Sequence, residues 1–309
     1  MRYLIAESTC TDPHYNLALE ETLLLHAEDA VILYLWQNQN TVVIGRNQNP
    51  WKECRTALLQ QEGGHLARRL SGGGAVFHDL GNLNFTFLMP QAMYDLDRQL
   101  DTICAAVRSF GIDAERSGRN DILAKGRKFS GNAFYKNGRQ AYHHGTLLLD
   151  ADMEKLGRYL NPSKAKLAAK GVDSVRSRVG NLRELNPDIT IDTMKAALID
   201  AFSAGHGGAE RIELSPDPAL WERYRSWEWN YGQKLPFTVS WEDRLDFGCI
   251  RIEAAVEHGV IRQAKVWTDA MDWQLPERLE GALTGSRLDR AELCRRAPEF
   301  AELFASMEI

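Results

Sequence analysis

Two of the four helices predicted in the first part of the chain show apolar side chains at helical spacing, and the other two begin with helix N-terminal signals. Asp12 followed by Pro13 is a typical N-cap with proline at the first helical position, and Asn49-Pro50 repeats that signal. Gly111 supplies a C-cap after the most regular of the four stretches. The predicted helices cover residues 13–25, 50–61, 95–110 and 193–202.

Short runs rich in β-branched and aromatic residues predict strands, and several come in pairs around a turn. Asn137-Gly138 is a strong signal for a tight hairpin turn, and His258-Gly259 separates another alternating pair. A polar tetrapeptide at residues 37–40 separates a third pair. The predicted hairpins join 31–36 with 41–45, 129–135 with 140–149, and 250–256 with 260–267.

The order of these elements favours an α+β fold with a mixed or antiparallel sheet, because strands and helices do not alternate as βαβ units. Residues 214–236 are rich in proline, glycine and polar side chains, which is typical of a segment between domains. The last hairpin and two short helices near 277–283 and 290–307 then form a small ββαα module. We therefore expect three parts, namely a large domain over 1–213, a linker over 214–236 and a small domain over 237–309.

The composition narrows the class of protein. A chain of 309 residues with 44% hydrophobic and 26% charged residues is typical of a globular protein with one large and one smaller domain. A net charge of -5 argues against a nucleic-acid binder. Five dispersed cysteines without a CxxC pair indicate neither a disulfide framework nor a zinc site, and they favour a cytoplasmic location. The N-terminus lacks a signal-peptide core, and no stretch has the length and apolar character to cross a bilayer.

The densest group of chemical signals is the run RRLSGGGAVFHDLGNLNFTF at residues 68–87. Three successive glycines at positions 72–74 let backbone N–H groups approach an anion closely, as in phosphate-binding nests. Arg68 and Arg69 precede them, and guanidinium groups match phosphate or carboxylate oxygens. The run is not a P-loop, since GxxxxGK[ST] is absent, and no strand–GxGxxG–helix unit surrounds it as in a Rossmann fold.

A second group of polar residues lies in two strands that follow the longest helix. Asp121 opens a strand after a glycine-containing turn, where a carboxylate is either a magnesium ligand or a turn residue. Lys128 begins the next strand, and strict alternation places Lys128, Ser130 and Asn132 on one face. A lysine at this place is either a surface residue or part of a site, depending on its neighbours.

Two further features leave their roles open. His143 and His144 are not a metal pair, because adjacent strand residues point to opposite faces, although one of them could line a pocket. Lys170, Arg176 and Arg178 make one segment basic in an acidic chain, and this segment is either a solvated loop or a phosphate contact.

Together these segments resemble the lipoate–protein ligase A family of the biotin/lipoate ligase superfamily. The matching pieces follow one order along essentially the whole chain, so the resemblance is far more specific than a glycine triplet. They are NLALEE (16–21), TVVIGRNQNPWKEC (41–54), RRLSGGGAVFHDLGN (68–82), RND (119–121), RKFSGNA (127–133), HHGTLLL (143–149), KGVDSVRSRV (170–179) and RSWEWNYG (225–232). The resemblance implies a large mixed-sheet domain like those of biotin and lipoyl ligases and class II synthetases, followed by a small α+β accessory domain.

The resemblance also implies roles for individual positions. Lys128 would be the catalytic residue, touching both the lipoate carboxylate and the α-phosphate, and Asp121 would lie near the metal. The positions expected to bind ATP are Arg69, Gly74, Ala75, Val76, Phe77 and Lys128. Those expected to bind lipoate are Lys128, Arg69, Ser71, Glu20, Trp36, His78, Tyr142 and His144.

A member of this family would activate lipoate with ATP and Mg²⁺ to lipoyl-AMP, releasing pyrophosphate. It would then transfer the lipoyl group to a lysine of the lipoyl domains of 2-oxoacid dehydrogenases or of the glycine cleavage H protein. Octanoate is a possible second substrate, a monomer is expected, and neither nucleic acid nor a membrane is an expected partner. No enzyme nucleophile is required, which suits the absence of cysteine from the motifs.

Three alternatives stay open at the level of sequence. An octanoyl transferase of the same fold would use a cysteine nucleophile, and none of the five cysteines lies in the glycine loop or the Lys128 hairpin. Biotin ligation is disfavoured because the glycine loop differs from the shorter basic motif of that family. A non-catalytic binder of lipoyl-type domains is disfavoured because Arg69, the glycines, Asp121 and Lys128 are all present.

Overall fold

A computed structural model describes residues 1–118, 121–161, 179–231, 239–257, 260–288 and 290–307. The strands are β1 (Arg2–Glu7), β2 (Ala30–Trp36), β3 (Thr41–Ile44), β4 (His65–Arg68), β5 (Val76–His78), β6 (Asn82–Pro90), β7 (Ala114–Ser117), β8 (Asp121–Ala124), β9 (Arg127–Lys136), β10 (Gln140–Leu148), β11 (Glu210–Ile212), β12 (Val239–Leu245), β13 (Gly248–Glu257) and β14 (Val260–Thr268). The helices are α1 (Pro13–Leu25), α2 (Pro50–Glu53), α3 (Thr56–Gln61), α4 (Leu96–Arg108), α5 (Met153–Tyr159), α6 (Ile191–Ala204), α7 (Pro218–Arg225), α8 (Trp227–Asn230), α9 (Leu275–Leu283), α10 (Arg290–Arg296) and α11 (Ala301–Ser306). Within these ranges, no helix combines the length and apolar character needed to cross a membrane.

Three of the four helices predicted in the first part of the chain are confirmed. The Asp12 carboxylate accepts the backbone N–H groups of His14 and Tyr15, and α1 begins at Pro13 as expected. The fourth prediction, a continuous helix over 50–61, is wrong. Cys54 forms an isolated antiparallel bridge with Leu160, which takes its backbone out of the helix and separates α2 from α3.

The central feature is an eight-stranded mixed sheet in the order β11-β1-β2-β6-β10-β9-β8-β7. Strands β11, β1 and β2 run parallel, and the other neighbours are antiparallel, so the predicted α+β class is confirmed. The β9–β10 hairpin is confirmed, and Gly138 has the positive φ of +90° that its turn requires.

The predicted hairpin of β2 with β3 is wrong. Both edges of β2 are occupied, because β1 pairs along one side and β6 along the other. Strand β3 instead joins a small second sheet in the order β4-β3-β5. This small sheet carries the glycine loop, since residues 69–75 connect β4 with β5.

Two helical layers cover the large sheet, and alternation along the strands divides the side chains between them. Leu33 and Leu35 of β2 face the core beneath α4 and α6, whereas Tyr34 and Trp36 face the core beneath α1 and α7. A strand that is buried on both faces supplies side chains to both layers. The α1 face of the sheet is also the face that carries the candidate site.

The C-terminal unit is a three-stranded antiparallel sheet in the order β12-β13-β14, packed against α9, α10 and α11. The predicted β13–β14 hairpin is confirmed, while its turn at 258–259 lies outside the described residues. Strand β12 was not predicted. The helix expected over 290–307 is divided by a 3₁₀ turn at Pro298–Phe300, because proline cannot donate a backbone hydrogen bond within a helix.

The segment expected to be a linker contains two helices, α7 and α8, that pack on the large unit. The Tyr224 side chain is buried in the α1 core, and its hydroxyl donates to Glu21 at 2.7 Å. Asp217 caps α7, so the proline-rich start of this segment is a helix signal. Residues 214–231 therefore pack with the large unit, and we propose that the boundary between the units lies after Tyr231.

Candidate active site

A cavity of about 280 Å³ opens between the α1 face of the large sheet, the glycine loop and the C-terminal unit. Nine of the residues that the sequence nominated line it, namely Trp36, Arg69, Gly74, Ala75, Val76, His78, Asp121, Lys128 and His144. The C-terminal unit adds Arg244, Gly248, Asp269 and Met271. The remaining nominated residues, Glu20, Ser71, Phe77 and Tyr142, lie behind this lining or on another face.

The shape of the glycine loop depends on the Arg69 side chain. Its guanidinium donates to the carbonyl oxygens of Gly72 (2.7 Å), Gly74 (2.8 Å) and Val43 (3.2 Å). Its Nε also donates to Ser71 Oγ at 3.0 Å. Burial lowers the pKa of Arg69 to about 10, which leaves the group charged at neutral pH. Arg69 therefore fixes the loop and also places positive charge beside the cavity.

Arg68 has a different role from the anion contact that its position in the sequence suggested. Its side chain is fully buried, and its nitrogens donate to five backbone carbonyl oxygens. The acceptors are Gly45 (3.2 Å), Arg46 (2.9 Å), Gln48 (2.7 Å), Trp229 (2.9 Å) and Asn230 (2.7 Å). Burial, with a smaller contribution from the nearby Arg46 charge, lowers its pKa to about 9. Arg68 joins α8 to the small sheet and does not line the cavity.

Alternation along β5 decides which residues after the glycines reach the cavity. Val76 and His78 line it, whereas the Phe77 side chain between them points the other way. Phe77 packs against Tyr159, with ring centroids 5.4 Å apart, in the core of the small sheet. The Phe77 side chain therefore does not line the cavity.

Lys128 and Asp121 form an ion pair at the mouth of the cavity. Lys128 Nζ lies 2.6 Å from Asp121 Oδ1, and each side chain is about a third exposed. The lysine side chain crosses Gly131, where an added Cβ would meet Nζ at 2.9 Å. A side chain at position 131 would therefore force the end of the Lys128 side chain to shift.

The predicted strict alternation of Lys128, Ser130 and Asn132 is wrong. The pairing of β8 with β9 shifts register between Ile122 and Leu123, which leaves Phe129 as an extra residue in a β-bulge. Ser130 and Asn132 still share a face, since Asn132 Nδ2 donates to Ser130 Oγ at 3.4 Å. Lys128 lies on the other face, where its side chain crosses Gly131 and lines the cavity.

His144 connects the cavity to a buried polar network. Its Nδ1 lies 2.8 Å from Glu20 Oε1 and its Nε2 lies 2.8 Å from Ser71 Oγ. Thr86 Oγ1 donates to the same Glu20 oxygen at 2.7 Å and accepts from Trp36 Nε1 at 3.1 Å. Glu20 and Ser71 therefore orient His144 from behind the lining.

The two adjacent histidines lie on opposite faces of β10, as predicted. Tyr142 and His144 share the cavity face, with ring centroids 4.8 Å apart. His143 is fully buried on the other face and contacts Gln99 and Asn132. Burial lowers the pKa of His143 to about 3, so it is neutral at physiological pH.

Asn84 and Thr146 of the large unit also line the cavity and were not predicted, although one signal in the sequence indicates Asn84. In NLNFTF, Asn82, Asn84 and Thr86 alternate with apolar residues in a strand that is buried on both faces. Buried polar side chains on one face of a strand indicate a polar pocket on that face.

The residues that the C-terminal unit contributes to the cavity could not be predicted from local sequence patterns. Arg244 lines the cavity, and its Nη1 donates to Cys249 Sγ at 3.2 Å. Asp269 accepts the Cys249 backbone N–H at 2.7 Å. The unit thus brings a guanidinium and a carboxylate to the cavity.

The loop after β14 docks directly on the glycine loop. Gly73 donates its backbone N–H to the Ala270 carbonyl oxygen at 3.2 Å. Asn47 accepts the Thr268 backbone N–H at 3.0 Å, and its side chain donates to the Trp273 carbonyl at 2.9 Å. These bonds fix the C-terminal unit against the rim of the cavity.

The donor set for a metal ion is small. Across the described ranges, no cluster of three or more His, Cys, Asp or Glu side chains could hold one. The carboxylates of Asp121 and Asp269 do line the cavity. This set fits Mg²⁺, which is usually held by one or two carboxylates together with substrate phosphates. The basic residues Lys170, Arg176 and Arg178 lie outside the described residues.

Comparison with known proteins places the chain in a family. Residues 12–203 match the model of the lipoyl protein ligase A/B catalytic domain. Residues 234–309 match the model of the bacterial lipoate protein ligase C-terminus. The two matches follow one another along the chain and cover most of it.

Solved structures agree with this assignment. LipL1 of P. falciparum in complex with lipoate is 28% identical with a TM-score of 0.84, over 96% of this chain and 94% of that one. A bipartite lipoate protein ligase of Thermoplasma acidophilum, from a structural analysis of the ligase and its E2 lipoyl domain, is 27% identical with a TM-score of 0.65, over 77% of this chain and 98% of that one. A lipoate–protein ligase A bound with ATP is 28% identical with a TM-score of 0.61, over 74% and 97%. The chain therefore belongs to the lipoate–protein ligase family.

Proposed function

We propose that this protein activates lipoate with ATP and transfers the lipoyl group to a lysine of an acceptor protein. The observation that carries the proposal is one cavity whose lining combines an apolar wall with converging cations. Leu17, Trp36 and Val43 supply the wall, and Lys128 and Arg244 lie in the same lining. This combination suits a ligand with an aliphatic tail, a carboxylate head and a phosphate partner.

In the first step the lipoate carboxylate oxygen attacks the α-phosphorus of ATP, and the bond to pyrophosphate breaks. Both reactants are anions, so fixed positive charge where they meet lowers the barrier. Lys128 is suited to this place because its ammonium has only Asp121 as an ion-pair partner in the described structure and is a third exposed. Arg69 holds the glycine loop through its carbonyl oxygens. The loop would bind the nucleotide with backbone N–H groups other than that of Gly73, which Ala270 accepts.

Arg244 is proposed to bind the leaving pyrophosphate. Its guanidinium is the cation that the C-terminal unit brings to the cavity, and a guanidinium fork matches phosphate oxygens. Bound Mg²⁺ would neutralise phosphate charge, and Asp121 would hold it together with substrate oxygens. Lys128 would then exchange its contact with Asp121 for contacts with the substrates.

In the second step the acceptor lysine amine attacks the carbonyl carbon of lipoyl-AMP, an amide forms, and AMP leaves as the amine loses a proton. Acceptors of this chemistry are lipoyl domains of 2-oxoacid dehydrogenases and the glycine cleavage H protein. We also propose a monomer that works in the cytoplasm. A cysteine-based octanoyl transferase gains no support, because none of the five cysteines, all in described ranges, lines the cavity.

The test is pyrophosphate release by the purified full-length protein with ATP, Mg²⁺ and lipoate. Release that depends on lipoate, and that stops when buffer without lipoate is used, supports activation. Acyl transfer from an octanoylated carrier protein without ATP would instead support the hypothesis of an octanoyl transferase and contradict this proposal.

A further inference from the structure

One wall of the cavity contains a histidine nitrogen with no hydrogen-bond partner among the described residues. His78 is 3% exposed, lines the cavity beside Trp36, and their ring centroids are 6.1 Å apart. Its Nε2 has no hydrogen-bond partner among the residues that the structure describes. Asn84, which pairs with Trp36 across the sheet, also lines this wall and leaves its side-chain nitrogen without a partner there.

A chain of hydrogen bonds fixes the tautomer of His78. The Asn16 side-chain nitrogen donates to the carbonyl oxygens of Cys10 (2.9 Å) and Gln37 (2.8 Å), so the orientation of the Asn16 amide is determined. The same nitrogen donates to Asn38 Oδ1 at 3.0 Å, which leaves Asn38 Nδ2 facing His78 Nδ1 at 3.2 Å. Nδ1 must therefore accept, and in the neutral ring the hydrogen is on Nε2.

The ring is neutral at physiological pH. Burial lowers the pKa of His78 to about 3, and the nearby charge of Arg69 acts in the same direction. His78 consequently presents one N–H donor to an apolar wall formed by Leu17, Trp36 and Val43. A ligand that packs against this wall without a hydrogen-bond acceptor leaves the Nε2–H donor buried and unsatisfied, which costs free energy.

We propose that His78 Nε2–H recognises a sulfur atom of the ligand's dithiolane ring, and that it selects a sulfur-containing acyl chain over a saturated chain of the same shape. This inference rests on the proposed function, since it assumes that the acid bound in the cavity is lipoate. Sulfur is a weak acceptor, but a weak bond suffices where the alternative is no bond at all. Saturated octanoate would bind less tightly because it leaves the donor unsatisfied.

The test compares lipoate with 5-cyclopentylpentanoate, which replaces the dithiolane by a ring of similar shape without an acceptor. The variants are His78→Leu, which removes the donor, and His78→Gln, whose amide nitrogen can place a donor near the position of Nε2. For the wild type we expect kcat/KM for pyrophosphate release to favour lipoate by about tenfold, which is the order of the cost of leaving a buried donor unsatisfied. The glutamine variant should keep most of this preference and the leucine variant should lose it.

Binding of the two acids without ATP, measured by calorimetry, separates this inference from the proposed function. A protein that binds lipoate about tenfold better but releases no pyrophosphate would contradict the ligase proposal and support the role of His78. A leucine variant that keeps the full preference, or a wild type that binds both acids equally, would overturn the role of His78. Should His78→Leu fail to give a folded protein by circular dichroism, His78→Phe removes the donor at closer ring volume and is read in the same way.

Discussion

Gly73 and Ala270 join the two units of the protein through one backbone hydrogen bond, from the Gly73 N–H to the Ala270 carbonyl oxygen at 3.2 Å. The bond ends on the glycine loop itself. The neighbouring Gly72 leaves no room for a side chain, since an added Cβ would lie 2.2 Å from the same carbonyl oxygen. The loop is thus shaped as much by the C-terminal unit as by the sheet that carries it.

Replacing Gly72 with alanine should separate the glycine loop from the C-terminal unit. Because the clash is with backbone, it must be relieved by movement of the loop or of residues 268–273. We expect lipoate-dependent pyrophosphate release to fall on the order of 100-fold, as for other small displacements of reacting groups. Gly157→Ala is the matched control, because that glycine lies in α5 with open space around it. Wild-type rates for Gly72→Ala would contradict this docking geometry.

Lys128→Ala should nearly abolish adenylate formation while the protein stays folded. The side chain is a third exposed and is paired with Asp121, so its loss removes charge from the cavity and little packing. We expect a decrease in pyrophosphate release of about 100-fold or more. Lys155→Ala, on the exposed side of α5, should retain wild-type rates. Near-normal release by the Lys128 variant would remove this residue from the catalytic step.

Arg244→Ala should impair the first half-reaction and spare the second. We expect pyrophosphate release to fall by at least about tenfold with a raised KM for ATP, since a charge-assisted phosphate contact is lost. Transfer from supplied lipoyl-AMP to an acceptor domain should be unchanged. Arg262→Ala serves as the control, because Arg262 is half exposed and lies in the same C-terminal sheet as Arg244. Equal losses in both half-reactions would indicate that Arg244 acts only in packing.

Arg68→Met should destabilise the protein much more than a surface arginine substitution does. It would leave five backbone carbonyl oxygens without their donor, at least three of them within the buried contact of α8 with the small sheet. We expect the free energy of unfolding to decrease by about 3 kcal/mol or more. Urea unfolding compares it with Arg183→Met, whose side chain is half exposed. Similar stabilities of the two variants would contradict the structural role of Arg68.

The free energy of unfolding should decrease as the pH is lowered, because the buried imidazole of His78 resists protonation. Its pKa is about 3 in the folded protein and near 6.5 when unfolded, so the unfolded state binds the proton first as pH decreases. Its contribution is therefore complete above pH 6.5 and is lost progressively below that value. Between pH 7 and pH 5 the wild type should lose about 2 kcal/mol more than His78→Gln does. Urea unfolding at the two pH values gives these losses. If the wild type and His78→Gln lost the same free energy of unfolding between pH 7 and pH 5, the lowered pKa of His78 would be excluded.

Much of the fold could be predicted because its signals are local. Asp12 and Pro13 start α1 by contacts within one helical turn, and Asn137-Gly138 defines a hairpin whose strands are adjacent in sequence. Strand pairing between distant segments has no such signal. The run at 41–44 was recognised as a strand, but β1 and β6 already occupy both edges of β2, and only the complete sheet reveals this.

The site was predictable where a motif carries chemistry and less so where contacts are remote. Trp36, His78, Lys128 and His144 were nominated from the family resemblance and meet in one cavity. Arg68 and Arg69 are neighbours of the same type, yet the acceptors on residues 229 and 230 hold Arg68 away from the cavity. Arg244 and Asp269 reach the site only because the C-terminal unit docks there, which no local pattern records.

The most direct test of the proposed function is the mass of an acceptor. A purified apo lipoyl domain would be incubated with the protein, ATP, Mg²⁺ and lipoate, and then analysed intact by mass spectrometry. We predict that the domain gains one lipoyl group on a single lysine, and that omission of ATP or use of Lys128→Ala prevents the gain. An unmodified domain in the complete reaction, or modification that proceeds equally well without ATP, would contradict the account.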